Sequence, residues 1–568
     1  MSNEKYSSIA ETKRILEIIL GHVQIPAEAE RISRKVQFSA SRELPYFPIP
    51  FKETELASAL KAIEGGVAAA LAGTKYGSIG ENKVSVNLEK STAFLIQAYL
   101  ATVGGYGKLD REVKQFLKGE LNTDLLQAQS DPYRRMSANL YETKQPGEYY
   151  HIHGSLEAST TLRMIGLEPF RPDLKDHDAI VKAIESHVKN FTVDELERMN
   201  AEKRQAGVPV LKHEDFIRTQ HGRTNLRLPP WSVDILESST PLTPLPSTSD
   251  KRILSGVKVL ELCRIIAGPV IGRILAEYGA DVLKITSPNL SDVPFFQVDG
   301  NMGKHAADLD LKTEEGRRQF ESLLVDADIV LDGYRPGALE KLGYGVTTLT
   351  KLAKERGKGF VYVNENCFGY QGEWWQRPGW QQIADCVSGV AWEQGRFMGL
   401  DEPVVPPFPI SDYGTGCMGA IAALTGLYNR ATRGGSWHGK ASLLQYDLLL
   451  IKIGQYPDDV KRELRKLIGD EFLSLRHSHS VDQISGTALK AMKRYVPGLF
   501  TSPGIREKWY SKGYRAEVEA VQPVVEIEGI DIGFKRASRP NGTDRASWDF
   551  GPEEDHRTVY TNGDSKLL

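Results

Sequence analysis

"VKVLELCRIIAGPVIGRILAEYGADVLKITS", Val257–Ser287, decides the fold. "VKVLEL" is a short apolar run of the kind that forms a buried strand. It ends in a loop, "CRIIAGP", followed by an amphipathic helical stretch, "GPVIGRILAEYGA". "DVLKITS" then returns as a second strand. Downstream, "TEEGRRQFESLLVDA" (Thr313–Ala327) is helical, "DIVLDGY" (Asp328–Tyr334) a strand, and "GFVYVNENCFG" (Gly359–Gly369) another. Strands alternating with helices of this length imply an α/β fold with a doubly wound parallel sheet. Ligands of such sheets bind beyond the carboxyl ends of the strands, near helix N-termini that attract phosphate. The loop is not GxGxxG, so a nicotinamide or flavin dinucleotide is not indicated.

The 568 residues suffice for two or three domains with sizeable cores. Lys and Arg number 71 and Asp and Glu 74, a net charge of −3 that asks for neither nucleic acid nor a membrane surface. Cys263, Cys367, Cys386 and Cys417 lie far apart, without metal-finger spacing, and read as reduced thiols of an intracellular protein. "MSNEKYSSIAETKRILEIIL" is amphipathic, with Ile9, Ile15, Leu16 and Ile19 near one face, rather than a signal peptide. No run reaches the roughly 18 apolar residues that span a bilayer. The chain ends "DSKLL", where Leu568 displaces the terminal SKL of a peroxisomal address. A cytoplasmic location is expected.

The clearest linker is "ESSTPLTPLPSTSD", Glu237–Asp250, rich in proline and hydroxyl residues. Upstream the chain reads as mainly helical, with strands around "NKVSVNL" and "GVPVL". A degenerate internal repeat also emerges. "PYFPIPFKETELASALKAIEGG" (Pro45–Gly66) is similar to "PPFPISDYGTGCMGAIAALTG" (Pro406–Gly426), pairing Phe47 with Phe408. Ser85 then pairs with Ser442, and Val113 with Val460. In this alignment Phe51 fills the position of Asp412.

Asp412 stands in "FPISDYGTGCMGAIAAL" (Phe408–Leu424), at the joint between a turn and an apolar helix. Helix capping and nucleophilic chemistry both suit a carboxylate there. "HIHG" (His151–Gly154) could hint at a metal pair, but no nearby Cys, Asp or Glu completes a site, and no metal is expected.

"LCRIIAGPVIGRILAEYGADVLKI" (Leu262–Ile285), "ADLDLKTEEGRRQFESLLVDADIVLDGYRPGALEKLGYG" (Ala307–Gly345), "FGYQGEWWQRPGWQQIADCVSGVAWEQG" (Phe368–Gly395) and "ISDYGTG" occur in that order. Together they resemble the class III CoA-transferases (CaiB/BaiF type), the family of formyl-CoA transferases and α-methylacyl-CoA racemases. The likeness is strong over Ser255–Leu449 and weaker over Pro45–Trp231, where "FTVDELERMNAEKRQAGVPV" looks like the family's small domain. It implies a Rossmann-like CoA-binding part with interlocked large and small domains. It also implies that coenzyme A or an acyl-CoA is the substrate, with no permanently bound cofactor. Ile265 and Ile266 match the adenosine-side loop, while Ser287 stands where the family often has an arginine near a CoA phosphate. Leu309 lies in the LDLKT motif, and Gly333, Tyr334 and Arg335 in "DGYRPG", often ENFRPG. Lys341 falls where many members have a phosphate-facing arginine, and Arg377 to Trp380 would flank the pantetheine.

Asp412 matches the family's nucleophile, with Gly414 and Gly416 leaving room for a thioester. Trp380 occupies the position of the racemases' histidine and cannot exchange a proton, which favours a transferase over an acyl-CoA racemase-like enzyme. A non-catalytic CoA-binding relative is the other alternative. The resemblance implies a small-molecule acyl-CoA and a carboxylic acid as partners, and either a homodimer or an intramolecular pseudo-dimer. The expected divisions are residues 1–236 as a degenerate half, 237–250 as the linker, 251–470 as the CoA-binding domain with the catalytic aspartate, and 471–568 as a returning tail.

Overall fold

The computed structural model describes residues 6–77, 83–551, 556–561 and 564–567; Leu568, on which the terminal SKL reading turns, lies outside them. Seven strands form the central sheet: β1 (Trp231–Glu237), β2 (Lys258–Leu262), β3 (Asp281–Thr286), β4 (His305–Asp308), β5 (Ile329–Asp332), β6 (Val361–Asn366) and β7 (Ser436–Ser442). Their order is β4-β3-β2-β5-β6-β7-β1. All pairings are parallel except β7 with β1, which closes one edge antiparallel. Val259 of β2 sits between Val282 of β3 and Ile329 of β5 in register. The apolar runs suit this sheet because its central strands are covered on both faces. The strand order reverses between β2 and β5, so the loops after these two strands diverge and leave a crevice at their carboxyl ends.

The helices that position the site are α1 (Glu53–Tyr76), α2 (Ala267–Glu277), α3 (Gln381–Ser388), α4 (Ile410–Arg433) and α5 (Leu443–Ile453). The small residues of α4 serve close packing. A Cβ on Gly416 would lie 2.5 Å from Val270 of α2, and one on Gly426 would lie 2.6 Å from Val361 of β6. On Gly414 it would meet the Tyr446 ring of α5 at 1.9 Å. This corrects the expectation that Gly414 and Gly416 make room for a thioester.

α1 lies against α4 in the core. Contrary to the expectation from apolar runs, it is long and apolar enough to cross a membrane, but 89% of its most apolar window is buried in the fold. Of its buried charges, Lys61 pairs with Glu64 at 2.8 Å, and Glu64 also accepts a hydrogen bond from Tyr278 at 3.0 Å, while Glu53 and Glu55 accept from tyrosine hydroxyls. Both α1 and α4 span 24 residues, with starts and ends alike offset by 357 (410 − 53 and 433 − 76). The residues preceding them, Lys52 and Pro409, share φ near −86° and −85° and ψ near 57° and 56°. At the offset of the helix ends Phe408 aligns with Phe51 and Asp412 with Glu55, whereas the sequence reading aligned Asp412 with Phe51.

A smaller sheet joins Ala138–Glu142, Tyr149–His153 and Val208–Pro209, with helices His177–Val188 and Val193–Lys203 beside it. The C-terminal tail returns to the first half: Ala516–Val521 pairs with Thr102–Val103, and Val525–Ile527 with Val84–Asn87. The four cysteines are free and buried.

Candidate active site

The crevice beyond β2 and β5 holds a cavity of about 310 Å³. Its walls include Ile265 and Ile266 after β2, Gly333, Tyr334 and Arg335 after β5, Arg377 and Trp380 before α3, and Asp412 on α4. Eight of the eleven expected residues thus converge. Ser287 lies instead in an adjoining cavity of about 180 Å³ that shares Arg264 and Tyr334. Leu309 and Lys341 are not among the residues lining either cavity. Leu309 packs in the core beneath the sheet edge, and Lys341 ends a short helix as an exposed residue.

Asp412 is the third residue of α4, and Pro409, not Asp412, is its N-cap. The capping role expected from sequence is therefore absent. The half-buried carboxylate forms no hydrogen bond or ion pair with a described residue. Burial raises its pKa well above the ordinary value, and the carboxylates Glu365 and Asp385 push in the same direction. A first-turn helix position favours the anion by only about 0.3–1 kcal/mol, less than burial costs it. Glu365, at the end of β6, lines the same cavity and is itself raised to about 8, by burial and then by Asp332. Asp385 accepts from Ser411 Oγ at 3.1 Å, tying α3 to the residue before Asp412.

Two loops meet the cavity in strained conformations. Ile265 has φ +69°, and Phe408, four residues before Asp412, has φ +66°. Such residues cost about 1–3 kcal/mol each and persist only where packing enforces them. Phe408 is held by Ser485, whose Oγ accepts its N–H at 3.0 Å, and by the Phe47 and Tyr99 rings. "DGYRPG" is fixed by Asp332, which accepts from Tyr334 N at 3.1 Å, Tyr362 Oη at 2.8 Å and Asn364 Nδ2 at 2.9 Å.

The first half supplies the opposite wall. The His153 ring stacks on Trp380 at 5.6 Å and 6°, and Trp380 Nε1 donates to Ser155 Oγ at 2.9 Å. "HIHG" therefore backs an aromatic wall. Burial holds His151 near a pKa of 4 and drives His153 well below its usual value. Among the described residues, no group of three or more His, Cys, Asp or Glu is placed to hold a metal. Arg377 is bound to Glu197 at 2.9 and 3.0 Å and to Gly207 O at 2.8 Å, so it joins the small sheet region to the site.

Sequence reasoning passed over Arg264 and Glu365. Arg264 lines both polar cavities, and neither it nor Arg335 has a side-chain partner among the described residues. Its signal was visible, an arginine directly beyond a buried strand. Glu365 gave none, because its neighbour Asp412 comes from a distant part of the chain.

Fold and crevice together define an α/β protein whose sheet carries, at its switch point, a crevice lined by Arg264, Arg335 and the carboxylate of Asp412. The model of CoA-transferase family III matches residues 254–454. The acetyl-coenzyme A transferase nodX of Hypoxylon pulicicidum is 32% identical over 558 residues, covering 95% of this chain and 92% of that protein. An acyl-CoA transferase of Gibberella moniliformis is 32% identical over 471 residues, 82% of this chain and 81% of that one. The β subunit of a succinyl-CoA–L-malate CoA-transferase from Chloroflexus aurantiacus is 31% identical over 205 residues, 34% of this chain and 49% of that one. The chain belongs to CoA-transferase family III, the CaiB/BaiF type, and is an enzyme of that class.

Proposed function

We propose that the enzyme moves CoA from an acyl-CoA thioester to a carboxylic acid through Asp412. Its carboxylate attacks the thioester carbonyl, the C–S bond breaks, and an acyl-aspartyl anhydride forms as CoA leaves as thiolate. The thiolate attacks the aspartyl carbonyl, releasing the first acid and leaving an aspartyl-CoA thioester. The acceptor carboxylate attacks that thioester to give a second anhydride. The thiolate then takes the new acyl group, and Asp412 is regenerated. The observation that carries this reading is the position of Asp412: unpaired, and opening on the polar cavity and on a second one behind Ile265 and Trp380.

In this reading Ile265, Ile266, Gly333 and Tyr334 form the walls along CoA, with Arg264 and Arg335 facing its phosphates and Trp380 flanking the thioester. Ser287 borders the nucleotide end. The site belongs to an intramolecular pseudo-dimer, in which residues 1–236 are a degenerate copy that lends its wall to the CoA-binding part, 251–470, across the 237–250 linker. The matching ends of α1 and α4 support that relation. Both Tyr6 and Tyr456 donate to Glu55, at 2.7 and 2.9 Å, which accounts for a single nucleophile. The test is isotope exchange between an acyl-CoA and its labelled free acid. Label should enter the thioester in the wild type. Failure to exchange with every acid tried, in protein that binds acyl-CoA, would sink the reading.

A further inference from the structure

Behind Ile265 and Trp380 lies a cavity of about 450 Å³, larger than the polar one and joined to it at Asp412. Tyr99, Val113, Leu117, Phe295 and Phe296 give it an apolar wall. Its charges are unequally satisfied. Lys108 is paired with Asp482. Asp124 is occupied by three backbone N–H groups, those of Ala128 and Gln129 at 3.0 Å and Ser130 at 2.7 Å. Arg135, half-buried on the same wall, has no side-chain hydrogen bond or ion pair with any described residue; it and the exposed Lys114 at the rim share only the field of Asp482, whose ion pair goes to Lys108. The histidine in the wall, His153, is kept neutral by burial and adds no charge. A guanidinium facing an apolar cavity with no carboxylate at hydrogen-bond distance among the described residues lacks its natural partner, and its fork is shaped for one.

We propose that this cavity holds the acyl chain, and that the acid exchanged is a dicarboxylic one: an apolar chain with a second carboxylate that pairs with Arg135. This rests on the reading of Asp412 given above. With CoA in the polar cavity, the thioester falls at Asp412 and the chain runs on past Trp380. A neutral chain fills the apolar wall but leaves Arg135 unpaired, whereas an ω-carboxylated chain satisfies both.

The experiment uses the full chain carrying Asp412→Asn, which blocks turnover, and titrates it calorimetrically with two series of CoA esters of increasing length. One series is straight-chain acyl-CoA and the other ω-carboxyacyl-CoA. At the length that reaches the guanidinium, the carboxylated ester should bind about 10-fold or more tightly than its neutral counterpart, the scale of a charge-assisted pair. Adding Arg135→Met should erase that advantage while neutral esters bind as before, and Arg135→Lys should restore part of it. Equal binding of the two series at every length, or a preference that survives Arg135→Met, overturns the proposal and leaves the transferase reading intact. If no ester binds at all, the assignment of the polar cavity to CoA fails, and this inference with it.

Discussion

Replacing Gly414 by alanine sets two effects against each other, and the structure says which wins. In an exposed helix the change should stabilise by about 1 kcal/mol, because alanine loses less backbone entropy. Here the added Cβ would stand 1.9 Å from Tyr446 Cε2 and 2.4 Å from Cδ2 and Cζ. The ring is fully buried, and its hydroxyl donates to Glu53 at 2.7 Å. Moving it costs about 1–3 kcal/mol of overpacking strain. Losing the buried hydrogen bond costs about 1–3 kcal/mol more. The net expectation is a loss of about 1–5 kcal/mol. Gly73→Ala, on α1 with no atom within 4 Å of the new Cβ, should instead gain up to about 1 kcal/mol. Denaturant titration of both variants reads the contrast. The clash also predicts strong coupling, so adding Tyr446→Leu should recover part of the loss in Gly414→Ala rather than add to it. If Gly414→Ala is as stable as wild type, the packing of α4 on α5 described above is wrong.

Burial, and then the like charges around Asp412, set a pH dependence: transfer should rise with pH along a limb above the ordinary carboxylate range near 4. Glu365→Gln removes one like charge, so the limb in a kcat/KM profile should move to lower pH; an unmoved limb would exclude coupling. Arg264→Ala should raise KM for CoA esters by about 10-fold with the free acid's KM unchanged, the scale of one charged hydrogen bond to a phosphate. His477 lies 2.9 Å from Glu185 and 3.2 Å from Glu402; burial lowers its pKa, but the two carboxylates prevail and hold it near 9. Its stabilisation is therefore complete below the unfolded value near 6.5 and fades as pH rises through about 9. His477→Gln should thus cost up to about 3 kcal/mol at pH 6 and almost nothing above pH 10, as read by thermal melts.

The alternation of strands and helices after Glu237 was legible because central parallel strands are apolar on both faces, and that pattern is local. The convergence of "CRIIAGP", "DGYRPG" and "ISDYGTG" was legible through the family likeness. What escaped depends on contacts between distant segments. Nothing near Gly414 in sequence announces Tyr446, and nothing near Arg135 reveals that its wall adjoins Asp412. The cap assignment failed because Pro409 is already the N-cap, placing Asp412 at the third residue of the first turn. Leu309 and Lys341 were carried over from motifs whose neighbours here point them into the core and into solvent. The ends of α1 and α4 share an offset of 357, four residues from the pairing of Phe47 with Phe408 read in the sequence, because phenylalanine stands at both 47 and 51 of "PYFPIPF".

The central claim is that Asp412 becomes covalently linked during transfer. Wild-type enzyme incubated with an acyl-CoA and quenched with hydroxylamine should yield a peptide bearing a hydroxamate at Asp412, read by mass spectrometry. Asp412→Asn should give none and transfer at least roughly 10³-fold more slowly, with little change in melting because the side chain caps nothing. A hydroxamate on another carboxylate such as Glu365, or transfer by Asp412→Asn at near the wild-type rate, would contradict the account.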